Sequence, residues 1–186
     1  MKKTLKIVGL LTLVLCALVL AGCGGGSSAR RELKVYNAGD YIDPELVKTF
    51  EKETGIRIIY DTWATNEDMY VKVKAGGSDY DLVIPSDYMI ERMKREGLLE
   101  KIDMTRIPNY ALIDEKFKNL YYDPQNEYAV PYMWGTVGII YNRKMVSDPV
   151  DSWSILWNPK YAKQIFMLDS LRDSIGVTLK YLGYSL

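Results

Sequence analysis

The stretch "NAGDYID" (37–43) sets a carboxylate, Asp40, beside an aromatic ring, Tyr41, directly after the apolar alternation of "LKVY". "PSDY" (85–88) offers Ser86 and Tyr88, and "DSLRD" (169–173) adds carboxylates at Asp169 and Asp173. Carboxylates pair with ammonium groups, and aromatic faces attract cations while covering the methylenes between them, so the combination favours an organic cation. The competing assignment makes Tyr41 and Tyr88 edge-of-core residues and Asp40, Asp43 and Asp87 helix caps or turn residues. Asp43 is assigned to capping, and Trp134 and Trp153 to the core. The chain contains no His, which removes His triads, His general bases and His metal ligands together. No G-x-S-x-G is present either, and no spacing supports a carboxylate-pair or Ser-Lys hydrolase, so an exported enzyme is the weaker alternative.

The elements that must position these loops alternate along the chain. "LKVYN" reads as a strand; Asp43 caps a helix with Pro44 at its first position, Leu46, Val47 and Phe50 form its apolar face, and Gly55 stops it. "IRIIYDTW" (56–63) is a second strand. Asn66 is expected to cap the next helix, with Glu67 and Asp68 complementing its N-terminal dipole and Met69 and Val73 stacked one turn apart before Gly76 and Gly77. "YDLVIPS" (80–86) suits a central parallel strand, and a third helix over 88–96 stops at Gly97. This β-α-β-α-β-α order predicts an α/β fold with a parallel sheet covered on both faces. Ligands bind such sheets beyond the carboxyl ends of the strands, where strand order reverses. An order of 2-1-3 would place the Asp40 and Tyr41 loop and the Ser86 and Tyr88 loop at one crevice. Residues 98–122 read as irregular with short helices. "YAVPYMWGTVGIIYN" (128–142) reads as a strand bent at Pro131 and Gly135, "KQIFMLD" (163–169) as a buried strand, and 172–182 as a helix.

Hydrophobic residues make up 48% of the 186 residues and charged residues 26%, an ordinary balance for a folded chain. The N-terminus differs. Met1 to Lys6 is cationic, and "IVGLLTLVLCALVL" (7–20) is an apolar run too short to span a membrane comfortably, as in an export signal. Removing Lys2, Lys3 and Lys6 with it leaves 21 basic against 24 acidic side chains, about −3, and no basic footprint for nucleic acid. Cys16 leaves with the apolar run, so the mature chain has no intramolecular disulfide. Leu20-Ala21-Gly22-Cys23 resembles the lipobox of bacterial lipoproteins, which implies lipidation of Cys23 and a flexible tether in "GGGSSA" (24–29).

The stretches "GDYIDPELVKTFEKETGI", "YDLVIPSDYMIERMKREGLL", "YAVPYMWGTVGIIYN" and "LKYLGYS" occur in the order found in the spermidine/putrescine-binding proteins of bacterial polyamine importers, and the chain resembles that family from Leu33 onward. The resemblance implies a periplasmic-binding-protein-like (type II) architecture of two α/β lobes, with a polyamine held in the cleft and closure presenting the complex to an ABC permease. It divides the chain into a signal peptide (1–22), a lipidated Cys and tether (23–32), a first lobe (33–136) and the start of a second (137–186). Family members continue well beyond Leu186, so the chain is expected to hold an incomplete cleft, with an inert fragment as the extreme case.

The implied ligand contacts are Asp40, Tyr41, Ser86 and Tyr88, followed by Ser170, Leu171, Arg172 and Asp173, with Ala38, Gly39 and Asp169 as possible neighbours. Two positions depart from the family pattern. Ser170 stands where an acid is usual, with Asp169 beside it, and Ala38 stands where a Trp would stack on the methylene chain. Loss of that face costs about 1 kcal/mol or more. Another organic cation or a metal chelate is therefore the alternative cargo. The resemblance further implies no cofactor, no catalysis and a monomer that meets the membrane through Cys23 and the permease through its lobes, in the periplasm or on the outer face of the cytoplasmic membrane.

Overall fold

Asp43 opens the first helix as its sequence position requires. Its carboxylate accepts the Glu45 backbone N–H at 2.9 Å, Pro44 fills the first helical position, and Gly55 ends the helix with φ of 69°, a left-handed conformation that only Gly adopts without strain. This helix, α1 (Pro44–Thr54), lies between strands β1 (Glu32–Ala38) and β2 (Arg57–Trp63) in the chain. The computed structural model describes residues 31–77 and 79–185. The expected signal peptide (1–22), Cys23 and the tether residues to 30 lie outside the described residues.

A three-stranded parallel sheet has the order β2-β1-β3, where β3 is Leu82–Val83. Register is set along the whole of β1, from Glu32 opposite Arg57 to Ala38 opposite Trp63. β1 is central and carries the buried run Val35, Tyr36, Asn37 and Ala38. The expectation of a long central strand over 80–86 is therefore corrected: two residues form β3, at the edge of the described sheet, with Leu82 about half exposed. It is held by Lys34, whose backbone N–H donates to the Asp81 carboxylate at 2.8 Å and whose carbonyl accepts the Asp81 N–H at 3.0 Å. Tyr80 stacks on Tyr36 with ring centroids 4.5 Å apart.

The described residues divide into two compact units, 31–64 with 75–84, and 65–74 with 85–185. In the second, helices α2 (Asn66–Lys74) and α3 (Asp87–Arg95) bury Met69, Tyr70, Met89 and Met93. Asn66 is not the cap of α2. The Thr65 hydroxyl takes that place, accepting the Asp68 N–H at 3.1 Å, because Asn66 is already the first helical residue. α2 and α3 are tied by Glu96, which accepts the Tyr70 hydroxyl at 2.7 Å, Lys74 Nζ at 2.8 Å and Arg92 Nε at 3.1 Å, while the Arg92 guanidinium lies 3.8 Å from the Tyr70 ring centroid.

Lys74 first, then Tyr70 and Arg92, hold the Glu96 carboxyl down to about 2 from its ordinary 4.5. A carboxyl depressed in the fold contributes stability that is complete above the unfolded value and is lost as pH falls through the folded one. The stability difference between wild type and Glu96→Gln is therefore expected to be constant above pH 4.5 and to shrink as pH falls towards 2, read as converging melting temperatures.

Residues 98–122 contain three 3₁₀ turns, at Met104–Arg106, Pro108–Leu112 and Glu115–Phe117. Two further turns, Trp153–Trp157 and Pro159–Tyr161, precede helix α4 (Leu171–Tyr181), against which Trp157 stacks on Tyr181 at 4.3 Å. The expected strands over 128–142 and 163–169 are not formed. A strand needs a neighbour for its N–H and C=O groups, and no ladder joins either segment among the described residues. The apolar side chains that suggested strands remain at the surface, with Phe166 96% exposed and Trp134 68% exposed. Trp134 is thus not a core residue; it tilts against Phe117 at 5.5 Å. Between these segments lies a largely apolar cavity of about 280 Å³, with Trp153, Met145, Phe166 and Val177 in its walls. Among the described residues no helix is long and apolar enough to cross a membrane.

Candidate functional site

Helix α3 begins with the sequence S-D-Y because Pro85 and Ser86 hold extended backbone before the first turn. Ser86 occupies the N-cap position without using its hydroxyl as a cap. Its backbone N–H donates to Asn66 Oδ1 at 2.8 Å, and its Oγ accepts from Asn66 Nδ2 at 3.0 Å. This two-point clamp joins the starts of α2 and α3. It fixes Tyr88 two residues further on, where the phenol donates to Glu67 Oε1 at 3.0 Å. Burial first, then the Glu67 bond, pushes the Tyr88 phenol up to about 12, so it stays protonated and keeps donating at any physiological pH.

Helix α4 supplies the facing groups. Ser170 caps it, its Oγ accepting the Asp173 N–H at 3.4 Å. Asp173 stands in the first turn, where the helix dipole favours a carboxylate, and contributes to the negative field at the Tyr88 phenol. Among the described residues it is also the single charged one lining the apolar cavity. Arg172 lays its guanidinium over the Tyr88 ring, 4.3 Å from the centroid. Leu171 is exposed, and Asp169 is exposed just before the cap. Nearby Tyr121, half of an edge-on pair with Tyr122 at 5.5 Å, is pushed up to about 12 by burial first and the Asp87 and Glu91 carboxylates next, while Arg172 opposes the shift.

One aromatic face, Tyr88, is thus bordered by carboxylates at Glu67 and Asp173, with an apolar hollow behind Asp173. Such an arrangement suits a chain of methylenes that ends in a protonated amine. Among the described residues there is no group of three or more His, Cys, Asp or Glu able to hold a metal ion.

The other candidates sit at the end of β1 in the first unit. Ala38 is the last, buried residue of the strand, and Gly39 and Asp40 form the exposed turn after it. The Tyr41 N–H closes that turn on the Ala38 carbonyl at 3.4 Å, leaving the ring 49% exposed. The structure therefore groups Ser86, Tyr88, Ser170, Arg172 and Asp173 in one unit and Ala38, Gly39, Asp40 and Tyr41 in the other.

Residues 79–185 match the model of the bacterial extracellular solute-binding protein family, and residues 1–119 match that of a hypothetical lipoprotein family (MG045). The chain belongs to the bacterial extracellular solute-binding proteins. This solute-binding protein is 39% identical over 172 residues to the spermidine/putrescine-binding periplasmic protein of Escherichia coli K12, covering 91% of the chain and 49% of that protein. It is 37% identical over 186 residues to the putrescine-binding periplasmic protein SpuD of Pseudomonas aeruginosa, covering 91% and 51%. The chain spans about half the length of the curated relatives it matches.

Among solved structures, a putative spermidine/putrescine ABC transporter protein of Listeria monocytogenes superposes with a TM-score of 0.80 at 46% identity, over 83% of this chain and 48% of that one. The Tp0655 lipoprotein of Treponema pallidum gives 0.78 at 41% identity, over 83% and 49%. The solute-binding protein therefore has the α/β fold expected from its element order. Two contributors escaped the sequence reading. Asn66 looked like a cap and Glu67 like a dipole partner of its own helix, although both act on residues about 20 positions later.

Proposed function

We propose that the chain is the polyamine-receiving portion of an extracytoplasmic solute receptor, binding putrescine or spermidine and delivering it to an ABC permease. The observation that carries this reading is the Tyr88 face bordered by Glu67 and Asp173, with the apolar cavity opening behind the second carboxylate. The names of the matched relatives, which describe spermidine and putrescine binding, support it. In this reading Asp173 and Asp40 meet terminal ammoniums, Tyr88 and Tyr41 cover methylenes, and Ser86 and Ser170 supply hydrogen-bond partners from their loops. No bond is made or broken.

Cys23 would carry the lipid that holds the receptor at the membrane, after removal of residues 1–22, with 23–32 as the tether, 33–136 in a first lobe and 137–186 in a second. The match to a lipoprotein family and the likeness to the Treponema lipoprotein support that anchoring. The ligand is tested by calorimetric titration of the protein with putrescine and spermidine. Saturable heat at micromolar to millimolar concentration is expected, and a folded protein giving none at millimolar ligand would sink the reading.

A further inference from the structure

We propose that Arg172 is a tethered stand-in for the ligand's cation, seated on Tyr88 until a diffusible amine displaces it. The inference rests on the polyamine reading and concerns how that site is regulated. A guanidinium 4.3 Å from the Tyr88 centroid is well inside the range at which a ring face attracts a cation. A ligand whose methylenes cover Tyr88, with its ammonium at Asp173, needs the same face, so Arg172 and the ligand exclude each other from it.

Arg172 is also out of place by the rules of its own helix. It is the second residue of α4, where the positive end of the helix dipole opposes a cation. No ion pair with a carboxylate compensates for that among the described residues, so the ring of Tyr88 is what seats it. The carboxylates that favour any cation here belong to neighbours: Glu67 on the Tyr88 hydroxyl, Asp173 next in the helix, and Asp87 and Glu91 around Tyr121. Arg172 is exposed and its side chain long and unbranched, so the head group can swing into water without disturbing α4. Once it has left, the acids and the aromatic face remain for an incoming amine. The device keeps the empty receptor from presenting a bare anionic aromatic site and sets a threshold that weakly binding cations do not cross.

The test pairs calorimetry with nuclear magnetic resonance on the same chain. Arg172→Gln is expected to bind putrescine about 2- to 5-fold more tightly than wild type, the factor matching an exposed cation–π contact. In the free wild-type protein the Arg172 side-chain resonances should be displaced upfield by the Tyr88 ring and should move to ordinary positions as putrescine saturates the site. Binding by the variant alone would also support the proposal. If wild type binds and the variant binds equally or more weakly, or if the upfield shift persists at saturation, Arg172 is not a stand-in while the polyamine reading survives. Folded proteins that both ignore putrescine would remove the reading itself, and this inference with it.

Discussion

Replacing Asp173 by Asn is expected to weaken putrescine binding by about 10- to 100-fold, with little change in melting temperature. The carboxylate stands at the cavity wall, carries no hydrogen bond to another side chain among the described residues, and is placed by a backbone N–H held on the Ser170 hydroxyl. A hydrogen bond to a charged group contributes about 1.5 to 3 kcal/mol, and Asn keeps the shape while losing the charge. The loss should fall mainly on the dissociation rate, because the contact is short-ranged. Stopped-flow and calorimetric titrations of the two proteins measure it. An unchanged affinity would move the ammonium contact elsewhere, and the Asp169 variant would then be the next to compare.

The largest stability effect is expected at a residue outside the site. Asp123 is 3% exposed, and one of its oxygens accepts the backbone N–H groups of Tyr128 at 2.8 Å and Ala129 at 3.0 Å. Lys94 Nζ from α3 approaches the other oxygen at 3.9 Å. Asp123→Ala leaves two backbone donors without their acceptor and takes the carboxylate from Lys94, whose Nζ keeps the Tyr122 carbonyl, and one-sided removal of a buried charged partner costs about 3 to 5 kcal/mol. Urea denaturation followed by tyrosine and tryptophan fluorescence should show the unfolding free energy falling by that amount, read as a lower midpoint at unchanged slope. Asp123→Asn retains one acceptor oxygen and is expected to lose less. Equal midpoints for all three proteins would mean that water replaces the carboxylate at no cost.

The first half of the fold was legible because its punctuation is local. Asp43, Pro44, Gly55 and Gly97 each act within a few residues of their own position, and each ends or begins a helix where its chemistry says it should. The order 2-1-3, which the sequence offered only as a condition for bringing two loops to one crevice, is the order the sheet has. The later segments were misread for a physical reason. Alternating apolar side chains in 128–142 and the apolar run in 163–169 report what a strand would bury, and they contain no information on whether a partner strand lies alongside. Asp123 drew no expectation from its sequence position, because its burial depends on backbone donors from 128 and 129 folding over it.

The candidate site divides the same way. Tyr88 and Asp173 were identifiable by residue type at the start of helices, and the resemblance pointed to the same positions. Asn66 and Glu67 were not, because residue type at a helix start is explained equally well by capping or dipole effects. Their actual roles at Ser86 and Tyr88 are set by the packing of α2 against α3. Arg172 was grouped with the ligand contacts, although its charge matches that of the proposed ligand. Only the geometry over Tyr88 gives that sign a meaning.

The chain changes unit at 64–65, again at 74–75 and again at 84–85. Helix α2 is therefore a loan from the middle of one unit to the other, and β3 is the instalment that completes the first sheet only after α2 has been made. Cleavage near 64 strips β3 from β1 and cleavage near 85 strips α2 from α3, so each of these cuts breaks one unit while leaving the segments of the other on one fragment, and a cut between those points, as at 74–75, divides both. During synthesis the first sheet cannot close until residues past Val83 are available, whereas β1, α1 and β2 can already pair. A protease that nicks the exposed Gly76 and Gly77 turn would consequently disturb both units at once, so limited digestion should give an all-or-none loss rather than a stable half.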